Sequence, residues 1–130
     1  SEEHARFFSG CVLLALEHLH AKRIMYRDLK MENVVLDARG YCKLCDFGAA
    51  SFQFTRGYTM CGTPEYMAPE IIAGNGHCSA VDWWAFGVLV YEMVMEATPF
   101  VGEDTLETFT NIRVGIEEVP MPEAPWAELV

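Results

Sequence analysis

The sequence is poor in basic residues, with nine Lys and Arg against nineteen Asp and Glu, a formal net charge of −10 at pH 7. Nucleic-acid phosphates demand a concentration of Lys and Arg, so this deficit argues against a nucleic-acid partner and suits a basic one. No apolar run reaches the roughly 18 residues that a membrane helix needs, and no signal peptide is visible. The expectation is an intracellular, cytoplasmic chain with no membrane span. Cysteine is poorly suited to a disulfide framework here. The count is five, an odd number, and it fits a reducing compartment. Cys42-Lys43-Leu44-Cys45 has the spacing of half a metal site, but no second pair supplies the other ligands. On a strand, positions three apart face opposite sides of the sheet, so the two sulfurs would diverge. His4, His18 and His20 lack metal-ligand spacing and are expected to lie solvated on a helix flank. Gly74-Asn75-Gly76 lacks the third glycine of a phosphate-cradling loop; Ser79 stands in its place and no strand leads in. Repeats and low-complexity tracts are absent too. The chain begins at Ser1 without a Met and has 130 residues, so one domain or part of one is expected. A hydrophobic content of 52% excludes a disordered chain.

What is present starts with Tyr26-Arg27-Asp28-Leu29-Lys30-Met31-Glu32-Asn33. An acid, a base, an amide and an arginine share one short stretch, pinned by apolar runs at both ends. An Asp that accepts a proton, a Lys that neutralises a phosphate and an Asn that holds a metal must converge within a few ångströms, and a pinned loop does that. Two further motifs follow: Asp46-Phe47-Gly48, then Gly62-Thr63-Pro64-Glu65-Tyr66-Met67-Ala68-Pro69-Glu70.

Hydrophobic period places these motifs on elements. Residues 2–21 read as an amphipathic helix, with Phe8, Val12, Ala15, Leu16 and Leu19 at three- and four-residue steps. Residues 24–33 read as loop. Val34–Leu36 and Tyr41–Cys45 read as two strands of a hairpin turning at Asp37-Ala38-Arg39-Gly40. That hairpin would bring Asn33 and Asp46 together, and their oxygens suit a hard cation such as Mg²⁺. Residues 48–60 have no period and read as a functional loop. A short helix is expected at 70–73. Ser79 and Asp82 have capping-box spacing, and the apolar run from Trp83 to Met95 should be a buried helix stopped by Pro99. Residues 105–114 could be a further helix, with Leu106, Phe109, Ile112 and Arg113 at helical spacing. The tail at 119–126 is Pro-rich and irregular.

The order and spacing of the three motifs resemble the large lobe of Ser/Thr protein kinases over residues 2–118. Within that family the chain is most similar to the AGC group, the cyclic-nucleotide-dependent kinases in particular. The marks are Tyr26 before Arg27-Asp28, the run from Thr59 to Glu65, and Val81-Asp82-Trp83-Trp84-Ala85-Phe86-Gly87. Gly115-Ile116-Glu117 leans towards the cGMP-dependent branch. The resemblance implies an α+β, mainly helical fold: an incomplete large (C-terminal) lobe at 1–130, without the small lobe and last helices, and with a short β-hairpin carrying the metal-binding residues. It implies ATP and Mg²⁺ as cofactors. Asp28 would accept the substrate proton, Lys30 would neutralise the γ-phosphate, and Thr63 would fix both. Asn33 and Asp46 would hold the metal, and Val35 would form part of the floor under adenine. Asp82 would tie the loop backbone to the buried helix, a reading that competes with its capping one.

The resemblance also implies regulation and specificity. Thr59 matches an activating phosphosite, filled by an upstream kinase or by autophosphorylation. Arg27 would meet the phosphate, and Arg56 would stand in for a basic residue that Ser51 replaces. Glu32 and Glu92 match acids that select Arg or Lys before the target Ser or Thr of protein substrates. Met60, Pro64 and Met67 would line an apolar pocket for the residue after it. The arginine that would pair with Glu70 is not in the chain. Two readings stand. One is the catalytic-lobe part of an ATP-dependent kinase, with the 130 residues alone expected to be inactive. The other is a catalytically silent, kinase-derived binding module.

Overall fold

A computed structural model describes residues 1–53 and 56–121. Helix α1 spans Glu2–Ala21, and Ala5, Val12 and Leu16 bury one face of it. Two short antiparallel pairs follow. Strand β1 (Ile24–Met25) pairs with β4 (Ser51–Phe52), and β2 (Val34–Leu36) pairs with β3 (Cys42–Leu44). Helix α2 is Pro69–Ile72, α3 is Ala80–Met95 and α4 is Thr105–Val114. Single 3₁₀ turns lie at Met31–Asn33, Pro64–Tyr66 and Ile116–Glu118. The architecture is mixed α+β and mainly helical. No helix among the described residues is long and apolar enough to cross a membrane.

The core gathers around α3. Ala85, Val88 and Leu89 meet Val12 and Leu16 of α1, Tyr26 and Leu29 of the intervening loop, Tyr66, Phe100 and Ile112. A smaller cluster of Met67, Ala68, Ile71 and Val81 extends it. Burying a side chain such as Leu16 or Leu89 contributes about 1.5–3 kcal/mol. Only Ala80, Trp83 and Gly87 of α3 are exposed, so the apolar run is buried on most faces as its composition requires.

Several expectations need correction. Residues 24–33 are not all loop, because Ile24 and Met25 pair with Phe52 and Ser51 and Gln53 N–H donates to Arg23 C=O at 2.7 Å. The same pairing puts a strand inside 48–60. A two-residue strand leaves too few positions to show alternation, so the sequence conceals it. Helix α3 ends at Met95, before Pro99, where Glu96 takes a left-handed conformation (φ 59°) and closes the helix. Ser79 makes no side-chain cap; the Asp82 carboxylate is engaged elsewhere. Leu106 is 74% exposed, and Thr108 takes the inward position, its hydroxyl donating to Asp104 C=O and accepting from Gly102 N–H. Residues 122–126 of the Pro-rich tail lie outside the described residues.

Candidate active site

The loop at Tyr26–Asn33 is anchored from below by one buried carboxylate. Asp82 accepts from Tyr26 N–H at 2.9 Å and Arg27 N–H at 2.7 Å, and its Oδ2 lies 2.7 Å from His20 Nε2. Its side chain is 1% exposed. These bonds hold Arg27 at φ 68°, a left-handed conformation that costs a non-glycine residue roughly 1–2 kcal/mol. Charge-assisted bonds of this kind contribute enough to offset that strain. The tether reading of Asp82 therefore holds, and the cap reading does not. His20 is not solvated, as expected from its flank position, but closes this cluster 62 residues away in sequence.

Two tyrosines tie the loop to its neighbours. The Tyr26 ring is fully buried, and its hydroxyl donates to Cys45 C=O at the end of β3. Burial first, then the nearby Cys45, Asp28 and Asp46, push its phenol well above the usual range. The Tyr66 hydroxyl accepts from Met31 N–H at 3.3 Å and donates to Glu92. Burial first, then the Glu92 bond, raise its pKa too, and Glu32 adds to the rise. Residue types alone gave no sign of these roles for His20, Tyr26 and Tyr66, because each partner is distant in sequence.

On this base the chemistry-bearing side chains converge. Asn33 is buried, and its Nδ2 donates to Asp28 C=O at 2.8 Å and to Asp28 Oδ2 at 3.0 Å. Thr63 Oγ1 donates to Asp28 Oδ1 at 3.4 Å. Lys30 Nζ donates to Thr63 Oγ1 at 3.0 Å and lies 3.7 Å from Asp28 Oδ2. The Asp28 and Lys30 side chains are 17% and 25% exposed, open enough to meet a ligand. Strand pairing puts Asn33 against Cys45, with Cys45 N–H donating to Asn33 C=O at 3.0 Å. Asp46 follows directly, at φ 55°, and its Oδ1 accepts from Gly48 N–H at 3.1 Å. A Cβ on Gly48 would come 3.1 Å from that oxygen, a close approach that glycine relieves. Among the described residues no three His, Cys, Asp or Glu gather as a metal site. An oxygen set of Asp46 carboxylate and Asn33 amide is the kind a hard cation accepts, completed by oxygens of another molecule.

The remaining candidates are less tightly drawn together. Val35 is 44% exposed on β2, opposite Lys43. Glu32 is exposed, and Glu92 lines a cavity of about 410 Å³ with His4, Phe8, Met31, Met93 and Glu96. Met60 is exposed and Pro64 half-buried, while Met67 is buried against Ala68 and Ile71. Thr59 and Arg56 are exposed. The Arg27 side chain is turned to Ala49 C=O, its Nε donating at 2.7 Å. No hydrogen bond among the described residues joins Thr59 to Arg27 or Arg56. The segment is instead pinned by a bridge between Gly57 and His77, with N–H···O distances of 2.9 and 2.8 Å.

The model of the protein kinase domain family matches residues 1–127. The chain belongs to that family. Its likeness to cyclic-nucleotide-dependent kinases runs over most of its length. It is 49% identical over 127 residues to a cGMP-dependent protein kinase, isozyme 1, of Drosophila melanogaster, covering 95% of this chain and 16% of that protein. It is 54% identical over 122 residues to a cAMP-dependent protein kinase catalytic subunit 2 of the same organism, covering 92% of this chain and 34% of that protein. It is 50% identical over 108 residues to a cAMP-dependent protein kinase type 3 of Saccharomyces cerevisiae, covering 83% and 27%. The chain thus spans about a third or less of the length of these relatives. Both cyclic-nucleotide branches match this kinase domain at similar identity, so the lean of Gly115-Ile116-Glu117 towards one of them is not decided.

Proposed function

We propose that residues 1–130 are the large-lobe part of the catalytic domain of an ATP-dependent Ser/Thr protein kinase. The observation that carries the reading is the convergence of Asp28, Lys30, Thr63 and Asn33 on a loop locked by Asp82. Phosphoryl transfer asks mainly for positioning and charge stabilisation, and a rigid acid beside a fixed ammonium offers both. Asp28 would orient the target hydroxyl and take its proton. Its Oδ1 carries only the long bond from Thr63, so it is the freer oxygen. Lys30, steadied by Thr63, would set its positive charge against the transferring group. Asn33 and Asp46, both at the open end of the β2–β3 hairpin, would hold Mg²⁺, and Val35 would face the nucleotide base. ATP would supply the phosphoryl group and Mg²⁺ would offset its charge.

The acids extend the reading to substrates. Glu32 and Glu92 both act on Tyr66, so they share one neighbourhood, and together they would select Arg or Lys before the target residue of a protein substrate. Met60, Pro64 and Met67 would meet the residue after it. Thr59 would be phosphorylated by an upstream kinase or by the domain itself, with Arg27 and Arg56 meeting the phosphate. Phosphatase treatment should then lower activity, and unchanged activity would rule the switch out. Five unpaired cysteines fit an intracellular, cytoplasmic setting. The 130 residues alone would be inactive, because they reach the nucleotide from one side only.

The test uses the longest natural chain that carries this sequence. Asp28→Asn should lower kcat by orders of magnitude with ATP binding nearly unchanged, since Asp28 touches the hydroxyl. Asp46→Asn should weaken Mg²⁺-dependent nucleotide binding as well. Equal kcat for Asp28→Asn and the wild type would sink the assignment.

A further inference from the structure

Cys42 has Cys45 three residues along the chain, but its spatial partner lies on another element. In the β2–β3 pairing Cys42 stands opposite Leu36, while Cys45 sits beside Asn33 and its thiol donates to Asn33 C=O at 3.4 Å. The two sulfurs thus serve opposite ends of the hairpin. Cys42 packs against α1 instead. It lines a cavity of about 190 Å³ with Phe8 and Val12. The ring of its neighbour Tyr41 meets Phe7 with centroids 5.5 Å apart. Phe8 and Val12 lie three residues before and one residue after Cys11 on α1, so Cys42 packs on the helix turn that carries Cys11, and the Cys42 thiol lies near enough to feel it. Both thiols are half-buried and unbonded to any other cysteine.

We propose that Cys11 and Cys42 are a modification site, a thiol pair that closes to a disulfide between α1 and β3 on exposure to a peroxide. The Cys11 thiolate attacks one peroxide oxygen, the O–O bond breaks, and the departing hydroxide takes a proton to leave as water. Cys11 is then a sulfenic acid. The Cys42 sulfur gives up its proton and attacks the Cys11 sulfur; the S–O bond breaks and the second hydroxide leaves with that proton as water. Two thiols lose two electrons in all, and one peroxide becomes two waters. The adjoining cavity leaves the Cys42 sulfur room to turn. Burial, and then the nearness of Cys11, push the Cys42 thiol pKa up. Cys42 is therefore suited to the second, resolving step, and closure should quicken as pH rises. The closed ring would enclose Tyr26–Asn33 and clamp the hairpin to α1. This inference does not rest on the proposed kinase activity.

The test is to treat the full chain with hydrogen peroxide in native buffer and, separately, in urea, then map cross-linked peptides by mass spectrometry. In native buffer one product should dominate: a chain lighter by two hydrogens, linked Cys11 to Cys42, with its thermal midpoint raised by about 5–15 °C. Dithiothreitol should reverse both changes. Cys42→Ser should abolish the link and Cys45→Ser should leave it intact. A Cys42–Cys45 link, a native-buffer mixture as scrambled as the one in urea, or Cys11 oxidised with no link would each overturn the proposal.

Discussion

Residues 26–33 and residues 46–62 carry motifs of the same family, yet the structure treats them in opposite ways. The first stretch is held by buried bonds: Asp82 takes two backbone amides and faces His20, Tyr26 and Leu29 sit in the core, and Asn33 is turned onto Asp28. The second is held lightly. Asp46, Phe47 and Gly48 are exposed, as are Tyr58, Thr59 and Met60, and among the described residues its attachments are mostly short: the two-residue strand β4, bonds joining Gln53 to Arg23 and Ser79, one bond from Arg27 to Ala49, the Phe47 ring against Tyr26, and the bridge to His77. On the proposed reading, the difference follows from what each would have to do. A proton acceptor needs its geometry fixed before substrate arrives. A segment ordered by an added phosphate must keep its hydroxyl open and its local stability low.

The comparison breaks most completely if its anchor is removed. Asp82→Ala would leave the amides of Tyr26 and Arg27 unpaired below the surface and His20 without its acceptor. Each unsatisfied buried group costs about 1–3 kcal/mol, so the loss should exceed about 3 kcal/mol in urea unfolding, enough to unfold a marginal chain. A loss within ~0.5 kcal/mol would mean that Asp82 anchors nothing.

A smaller effect sharpens the role of the rigid side. Glu92→Gln keeps an oxygen for the Tyr66 hydroxyl but removes the charge. In the longest natural chain, KM for arginine-bearing peptides should rise about tenfold with kcat little changed, as loss of a charge-assisted pair requires. A uniform rise across peptides with and without arginine would refute the selective role.

The smallest effect concerns the light side. His77 is 3% exposed, its Nε2 has no partner, and burial, with the nearby Arg27 charge, lowers its pKa from the ordinary 6.5. The unfolded chain therefore binds the proton more readily than the folded one. Stability should be fully present above pH 6.5 and fall as pH drops through 6.5 towards the lowered folded value. Gln at position 77 cannot titrate, so His77→Gln should flatten that slope in urea midpoints taken across pH 5–7.5. An unchanged slope would assign it to other groups.

Much of the fold was legible because it is periodic. The period along Phe8, Val12 and Leu16 marked α1 to its observed ends, Glu2 and Ala21, and the unbroken apolar run marked α3 as buried. The motif residues were legible as a cluster, since an Asp, a Lys and an Asn on one pinned loop were expected to converge, and they do. What stayed hidden was non-local or very short. The β1–β4 pair is two residues deep, so alternation cannot show it. The stop of α3 at Glu96 uses a left-handed residue that is not glycine, and a following proline was the more visible signal. His20 and Asp82 meet across 62 positions with no shared pattern. Tyr66 reads as one more core aromatic until its hydroxyl is seen between Met31 and Glu92.

Amide hydrogen exchange on the chain, read residue by residue, tests the contrast most directly. The amides of Tyr26 and Arg27 lie in a loop, where fast exchange is the ordinary outcome, but both donate to buried Asp82. They should exchange as slowly as the interior of α3, while Tyr58, Thr59 and Met60 exchange at nearly the rate of an open chain. Equal exchange in the two stretches, or faster exchange at Tyr26 and Arg27, would contradict the claim that a fixed loop faces a loosely held segment.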